Sequence, residues 1–318
     1  MNFLMNYMFN VVVSSLILMM MVLISMSFFT LMERKILGYI QLRKGPNKLG
    51  VVGVIQPFSD AMKLFSKELI LLIKVNYFFY LISPFFMLIL ILLYWMSIPY
   101  FTNLISFDLG MMYFFCCVSL SVYMIFISGW SSNSIYSTLG GVRAIAQTVS
   151  YEVSFILITL SLIMMMMSFS LIMFYFNQLN IWFVYLFFPI FLMFFISLLA
   201  EMNRTPFDFV ESESELVSGF NVEYMSGLFA FLFMSEYSSM LFLGMIFSLM
   251  FFGGNLFYLS FYVKILLILF IMLWIRGTFP RFRYDKLMYL SWKIFLPISL
   301  NYLVYIMGLI YFFMLYLY

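Results

Sequence analysis

Six stretches of this chain contain no Asp, Glu, Lys or Arg: residues 1–32, 75–107, 109–142, 153–200, 237–263 and 294–318. An α-helix needs about 20 mostly apolar residues to cross the hydrocarbon of a bilayer, and every one of these runs exceeds that length. Strands of a membrane β-barrel alternate apolar with polar residues, and these runs do not alternate. With 66% hydrophobic and 9% charged residues in 318, the chain also carries more apolar side chain than a soluble domain of that size can hide. The reading is an all-α polytopic membrane protein, a single transmembrane helical domain over residues 1–318.

Dividing the long runs at their turn residues gives eight expected transmembrane helices, near 3–32, 72–99, 104–128, 146–173, 180–200, 224–252, 256–275 and 287–317. Basic residues supply an independent check, because they gather on one side of a membrane. If the spans alternate, loops 33–74, 129–145, 201–223 and 276–293 share a face and hold all the basic residues except Lys264. Both termini then lie on the charge-poor side. Lys264, inside the seventh span, is expected to snorkel to that opposite interface. In the first large loop, residues 55–69 place Phe58, Met62, Phe65 and Leu69 at helical spacing after Pro57, which predicts an amphipathic helix at the interface.

Several chemistries are excluded by composition. The chain has no histidine, and its two cysteines, Cys116 and Cys117, are adjacent in an apolar run. Ligation of haem, zinc or an iron-sulfur cluster from this chain alone is therefore not expected. Neither GxGxxG nor GxxxxGK[ST] occurs, so a phosphate cradle is not expected either. Any redox cofactor belongs to a partner. The first charge is Glu33, so the amino terminus reads as a permanent first helix and not as a cleaved leader.

Against this background the segment RTPFDFVESESELVSGFNVEY, residues 204–224, stands out. Loop 201–223 collects Glu201, Asp208, Glu211, Glu213, Glu215 and Glu223 against a single Arg204. Local capping accounts for two of them: Thr205, Pro206 and Asp208 fit the start of a short helix, and Ser212 with Glu215 fits a second. The others have no local use. Crowded and buried carboxylates shift toward protonation, which suits proton binding and release near neutrality. Glu152 and Glu236 lie in or beside spans, where an ionisable group normally faces a cavity or a relay. Opposite charge gathers in Arg34, Lys35, Arg43 and Lys44 and in RGTFPRFRYDK, residues 276–286, where Arg forks alternate with Phe279, Phe282 and Tyr284. That pattern suits a flat ligand with a polar head and an apolar tail. The surrounding spans argue against nucleic acid. A secondary ion carrier or channel working through Glu152 and Glu236 is the alternative reading of the acids, and a purely structural membrane anchor is a third.

Four segments, ERKILGYIQLRKGPNKLG (33–50), GGVRAIAQTVSYEV (140–153), the acidic segment 204–224 and RGTFPRFRYDKLMYLSWK (276–293), closely resemble the chain 1 family of mitochondrial NADH:ubiquinone oxidoreductase, respiratory complex I. The likeness implies an eight-helix subunit of the inner mitochondrial membrane, termini toward the intermembrane space, that joins the electron-transfer arm to the proton-pumping arm. Its amphipathic segment 55–69 and acidic loop 201–223 would then face the matrix. The resemblance implies ubiquinone as substrate, FMN and iron-sulfur clusters in partner subunits, and as neighbours the peripheral quinone-site subunits, adjacent membrane-arm subunits and lipid. It assigns Arg34, Phe233, Arg276 and Arg281 to the quinone path. Glu152, Glu201, Asp208, Glu211, Glu213, Glu236 and Arg143 fall on the acidic route toward the membrane arm. Ser212 departs from the glycine usual in the family.

Overall fold

The computed structural model describes residues 2–70, 73–99, 107–209, 219–256 and 258–317, and among these it is helical with no strand. In chain order the helices are α1 (Asn2–Ile40), α2 (Gln56–Ser66), α3 (Tyr77–Trp95), α4 (Gly110–Ser131), α5 (Ile135–Met166), α6 (Leu171–Asn177), α7 (Phe183–Leu186) and α8 (Phe188–Glu201). Then follow α9 (Ser226–Phe252), α10 (Leu259–Thr278), α11 (Tyr284–Tyr289) and α12 (Leu296–Leu317), the last two joined by a π-helical turn, Leu290–Phe295.

Among the described residues, seven helical stretches are long and apolar enough to cross a membrane; α11, the π turn and α12 count as one. The remaining expected span, 180–200, is divided at Phe187 into α7 and α8. Pro189 stands in the first turn of α8, where its missing N–H costs nothing but where it cannot donate back into a preceding turn.

Helix association in lipid relies on close van der Waals packing, because lipid tails are as apolar as the side chains they would replace. Small residues provide that closeness here. A Cβ on Gly129 of α4 would come within 3.1 Å of Gly141 Cα on α5, and one on Gly140 within 2.8 Å of Gly219 Cα. Aromatic rings fill the middle, with Phe155 stacked on Phe194 at 4.8 Å and Phe194 on Phe247 at 5.9 Å. Helix α9 is central, packed on α3, α10, α1 and α2, while α5 joins α4, α8 and α12.

Three expectations change. Helix α1 runs on to Ile40, so Glu33, Arg34 and Lys35 are helical and not in the loop. Helix α5 starts at Ile135, so most of the expected loop 129–145 is helix and Arg143 sits on it. The reason is a tight hydroxyl-bonded turn: Ser132 donates to Ser137 Oγ at 2.6 Å and Ser134 to the same oxygen at 2.7 Å. No helix starts at Thr205, because Asp208 is engaged by Arg281 instead of capping. Lys264 reaches along α10 toward the turn that joins it to α9, where its Nζ donates to Phe252 O at 2.7 Å. The expected amphipathic helix does form as α2, but it packs inward, with Phe58 on Phe28 and Phe65 on Phe231, each at 5.8 Å.

Candidate functional site

The end of α1, the end of α10, the start of α9 and the segment after α8 are knit together by ion pairs. Glu33, buried at 5% exposure, pairs with Arg276 in the last turn of α10. Beside it Arg34 pairs with Asp60 of α2, whose other oxygen accepts from Gln56 Nε2 at 2.9 Å. Lys35 donates to Val52 O at 2.7 Å and folds the connecting loop back onto α1. These contacts explain why the helix can carry three charges in its final turns: each has a partner before it meets apolar surroundings.

The segment 202–209 is irregular and satisfies its backbone partly through local turns, such as Phe207 N to Arg204 O at 2.8 Å, and partly through other elements. Gln147 of α5 does much of this, donating to Ala200 O at 2.9 Å and Phe207 O at 2.7 Å. Phe282 N donates to Pro206 O at 3.0 Å, and the Phe207 and Phe282 rings stack at 5.4 Å. Asp208 then meets Arg281 at 3.3 Å. Arg204, also buried, meets Glu236 of α9 at 3.1 Å and lies 5.1 Å from the centre of the Tyr237 ring. Tyr237 in turn touches Phe29 and Phe233, with ring centres 5.9 and 6.2 Å away.

A cavity of about 50 Å³ lies beside this network. Glu201 and Glu236 both line it, with Tyr94, Ser121, Thr148, Asn203 and Ser239 among the polar neighbours. Glu201 Oε2 and Asn203 Oδ1 are buried with no hydrogen-bond partner among the described residues. A cavity of this size accommodates water, and a polar lining is what holds it there. Two carboxyl groups and several hydroxyls around water form a unit able to accept and pass on protons. Among the described residues no group of three or more His, Cys, Asp or Glu is placed to hold a metal.

The family described as NADH dehydrogenase matches residues 13–307. The chain belongs to the NADH dehydrogenase family. It is 56% identical over 301 residues to NADH-ubiquinone oxidoreductase chain 1 of Anopheles gambiae, a match covering 95% of this chain and 96% of the relative. The same identity and coverage hold for the chain 1 protein of Locusta migratoria. That of Hylobates lar is 46% identical over 304 residues, covering 93% and 96%.

In this member of the NADH dehydrogenase family the expected site residues fall into connected groups. Arg276 and Arg281 flank one turn and bind Glu33 and Asp208. Arg34 joins them through the adjacent Glu33, and Phe233 through Tyr237 and Arg204. Glu201 and Glu236 share the cavity. Glu152 is half-buried one turn beyond Thr148 on α5, and Arg143 is half-buried one turn before Gln147. Glu211 and Glu213 lie outside the described residues. Glu33 and Gln147 were not among the expected residues. Glu33 had a readable signal: a carboxylate that opens a basic run at the end of an apolar helix calls for a cation. Gln147 had none, since an amide in a helix does not announce the carbonyls it will meet.

Proposed function

We propose that this chain is a membrane-arm subunit of a proton-translocating NADH:ubiquinone oxidoreductase in the inner mitochondrial membrane. In this reading it helps to wall the ubiquinone chamber and couples quinone reduction to proton movement. Its basic end faces the matrix, and both termini lie toward the intermembrane space. Flavin and iron-sulfur chemistry resides in partner subunits, the quinone-site peripheral subunits and adjacent membrane-arm subunits being the neighbours.

The observation that carries the proposal is the Arg204–Glu236 pair placed between the aromatic Phe233–Tyr237 surface and the cavity of Glu201. Reduction of a quinone to a quinol takes up two electrons and two protons. Negative charge arriving beside Arg204, Arg276 and Arg281 attracts those guanidinium groups and loosens their hold on Glu236, Glu33 and Asp208. A carboxylate that loses its cation in a low-dielectric site gains affinity for a proton. Glu201 and Glu236, sharing one cavity, hand that proton on, with Glu152 the next acid along α5. Asp208, with Glu211 and Glu213 in the loop beyond it, supplies the matrix-side approach.

The test is substitution in the assembled complex. Asp208→Asn and Glu236→Gln should each lower quinone reductase turnover about tenfold or more, the effect of about 1.4 kcal/mol on a barrier, while the complex still assembles. Normal turnover and normal pumping in such assembled variants would refute the role. A carrier or channel would conduct ions when the chain alone is placed in liposomes; this reading requires it to be inert there.

A further inference from the structure

Lys264 is absorbed by none of this, although it is the basic residue that departs from the one-sided charge pattern. It sits in the second turn of α10, half-buried, and its Nζ turns inward. There it donates to the carbonyl of Phe252, the last residue of α9, at 2.7 Å and lies 4.3 Å from the centre of the Trp182 ring. Gln178, itself buried, donates to the two preceding carbonyls of interest, Leu249 O at 3.1 Å and Met250 O at 2.9 Å. The final carbonyls of a helix lack partners within it and carry its partial negative charge. Here they receive an amide and an ammonium from other elements.

The rest of α9 explains why that end matters. The hydroxyls of Ser235, Ser238, Ser239 and Ser248 all bond back to carbonyls of their own helix. They therefore do nothing to set the axial position of α9 against its neighbours. Gly244, at mid-helix, admits the Leu269 side chain of α10 to close apolar contact. Apolar packing in lipid does not by itself oppose sliding strongly, whereas directed polar contacts between elements do. Such contacts are found at two levels of α9: Arg204–Glu236 in its third turn and Lys264 with Gln178 at its C-terminal end.

We infer that Lys264 is a positioning residue, which with Gln178 fixes the C-terminal end of α9 and so sets the axial position at which this helix presents Phe233 and Glu236. The inference rests on the functional reading above for its consequence, but its geometry can be tested without it. In the complex carrying this chain, with Cys116 and Cys117 replaced by serine, Phe65→Cys and Phe231→Cys put thiols on the two sides of the α2–α9 contact, where the ring centres are 5.8 Å apart, a pair to be bridged by a short bis-maleimide. Lys264→Met should lower bis-maleimide cross-linking of that pair and raise the quinone KM, each about threefold, the modest effect of a residue that acts on a site from a distance. Lys264→Arg should restore both. If Lys264→Met fails to assemble, Lys264→Gln, a shorter donor, is measured in its place with the same expectation. Unchanged cross-linking in the assembled variant overturns the inference and returns Lys264 to a surface anchor. Absence of quinone reductase activity even with Lys264 intact would instead overturn the functional reading, and the cross-linking ratio would still decide this one.

Discussion

Removing both members of the Arg204–Glu236 pair should cost clearly less than the sum of removing each alone. The two side chains are only 8% and 16% exposed and their charged atoms lie 3.1 Å apart. At an effective dielectric of about 20, that separation corresponds to roughly 5 kcal/mol of attraction. Breaking such a buried pair from one side typically costs about 3–5 kcal/mol, because the remaining charge stays where water cannot reach it. Arg204 also faces the Tyr237 ring at 5.1 Å, so Arg204→Met should exceed Glu236→Met by about 0.5–1 kcal/mol. Replacing both by methionine removes the charges together and refills the space with apolar atoms. The double variant should therefore be less destabilised than the sum of the singles by at least about 2 kcal/mol. Unfolding free energies of the four chains in mixed detergent micelles give the cycle directly. A coupling below about 0.5 kcal/mol would mean that the pair is solvated or mobile and would sink the reasoning.

Gly140→Ala should destabilise by about 1–3 kcal/mol, since its new methyl would meet backbone atoms of Gly219 and Phe220 at 2.8–3.0 Å; Gly308→Ala, with nothing within 4 Å, is the neutral control, and the amount of assembled complex distinguishes them. Gln147→Leu removes the side-chain donor to Phe207 O in the turn after α8 and a second bond to Ala200 O, which keeps its backbone donor, and should cost about 1–3 kcal/mol by the same unfolding measurement. Tyr80→Phe keeps the 4.4 Å stack on Tyr224 but loses the 2.6 Å bond to Glu223 O, so a loss of about 1 kcal/mol is expected.

How far the fold is legible in the sequence depends on which force sets each feature. Exclusion of charge from hydrocarbon is strong and one-dimensional, so the expected spans 72–99, 224–252 and 256–275 fall within a few residues of the helices Tyr77–Trp95, Ser226–Phe252 and Leu259–Thr278. Charge is a poor guide to helix ends once partners are available. Glu33, Arg34 and Lys35 remain helical because Arg276, Asp60 and Val52 O receive them, and those partners lie elsewhere in the chain. The start of α5 was hidden for a related reason, as Gly140 and Gly141 read as a loop until the backbones they admit are known. Asp208 shows the limit of capping patterns: a local acceptor role loses to a guanidinium brought in from residue 281. For Lys264 the topology rule gives a direction but no partner: the carbonyl its ammonium meets belongs to the end of a neighbouring helix.

The connected pairs also bear on how substitutions here should be interpreted. Glu33–Arg276 joins α1 to α10, Arg204–Glu236 joins the turn after α8 to α9, and Asp208–Arg281 joins two connecting segments. In a bundle whose helices gain little from apolar burial against lipid, these bonds set which helix ends meet. The same side chains are those proposed to respond to quinone charge. A single substitution that abolishes both assembly and turnover therefore cannot assign its residue to either role, because an unpaired buried charge is enough to produce both losses. The Arg204→Met, Glu236→Met double variant separates them. It restores packing by removing both charges, yet it takes a carboxyl from the cavity it shares with Glu201. It should assemble and still fail to pump; a double variant that assembles and pumps normally would reduce Glu236 to a structural anchor.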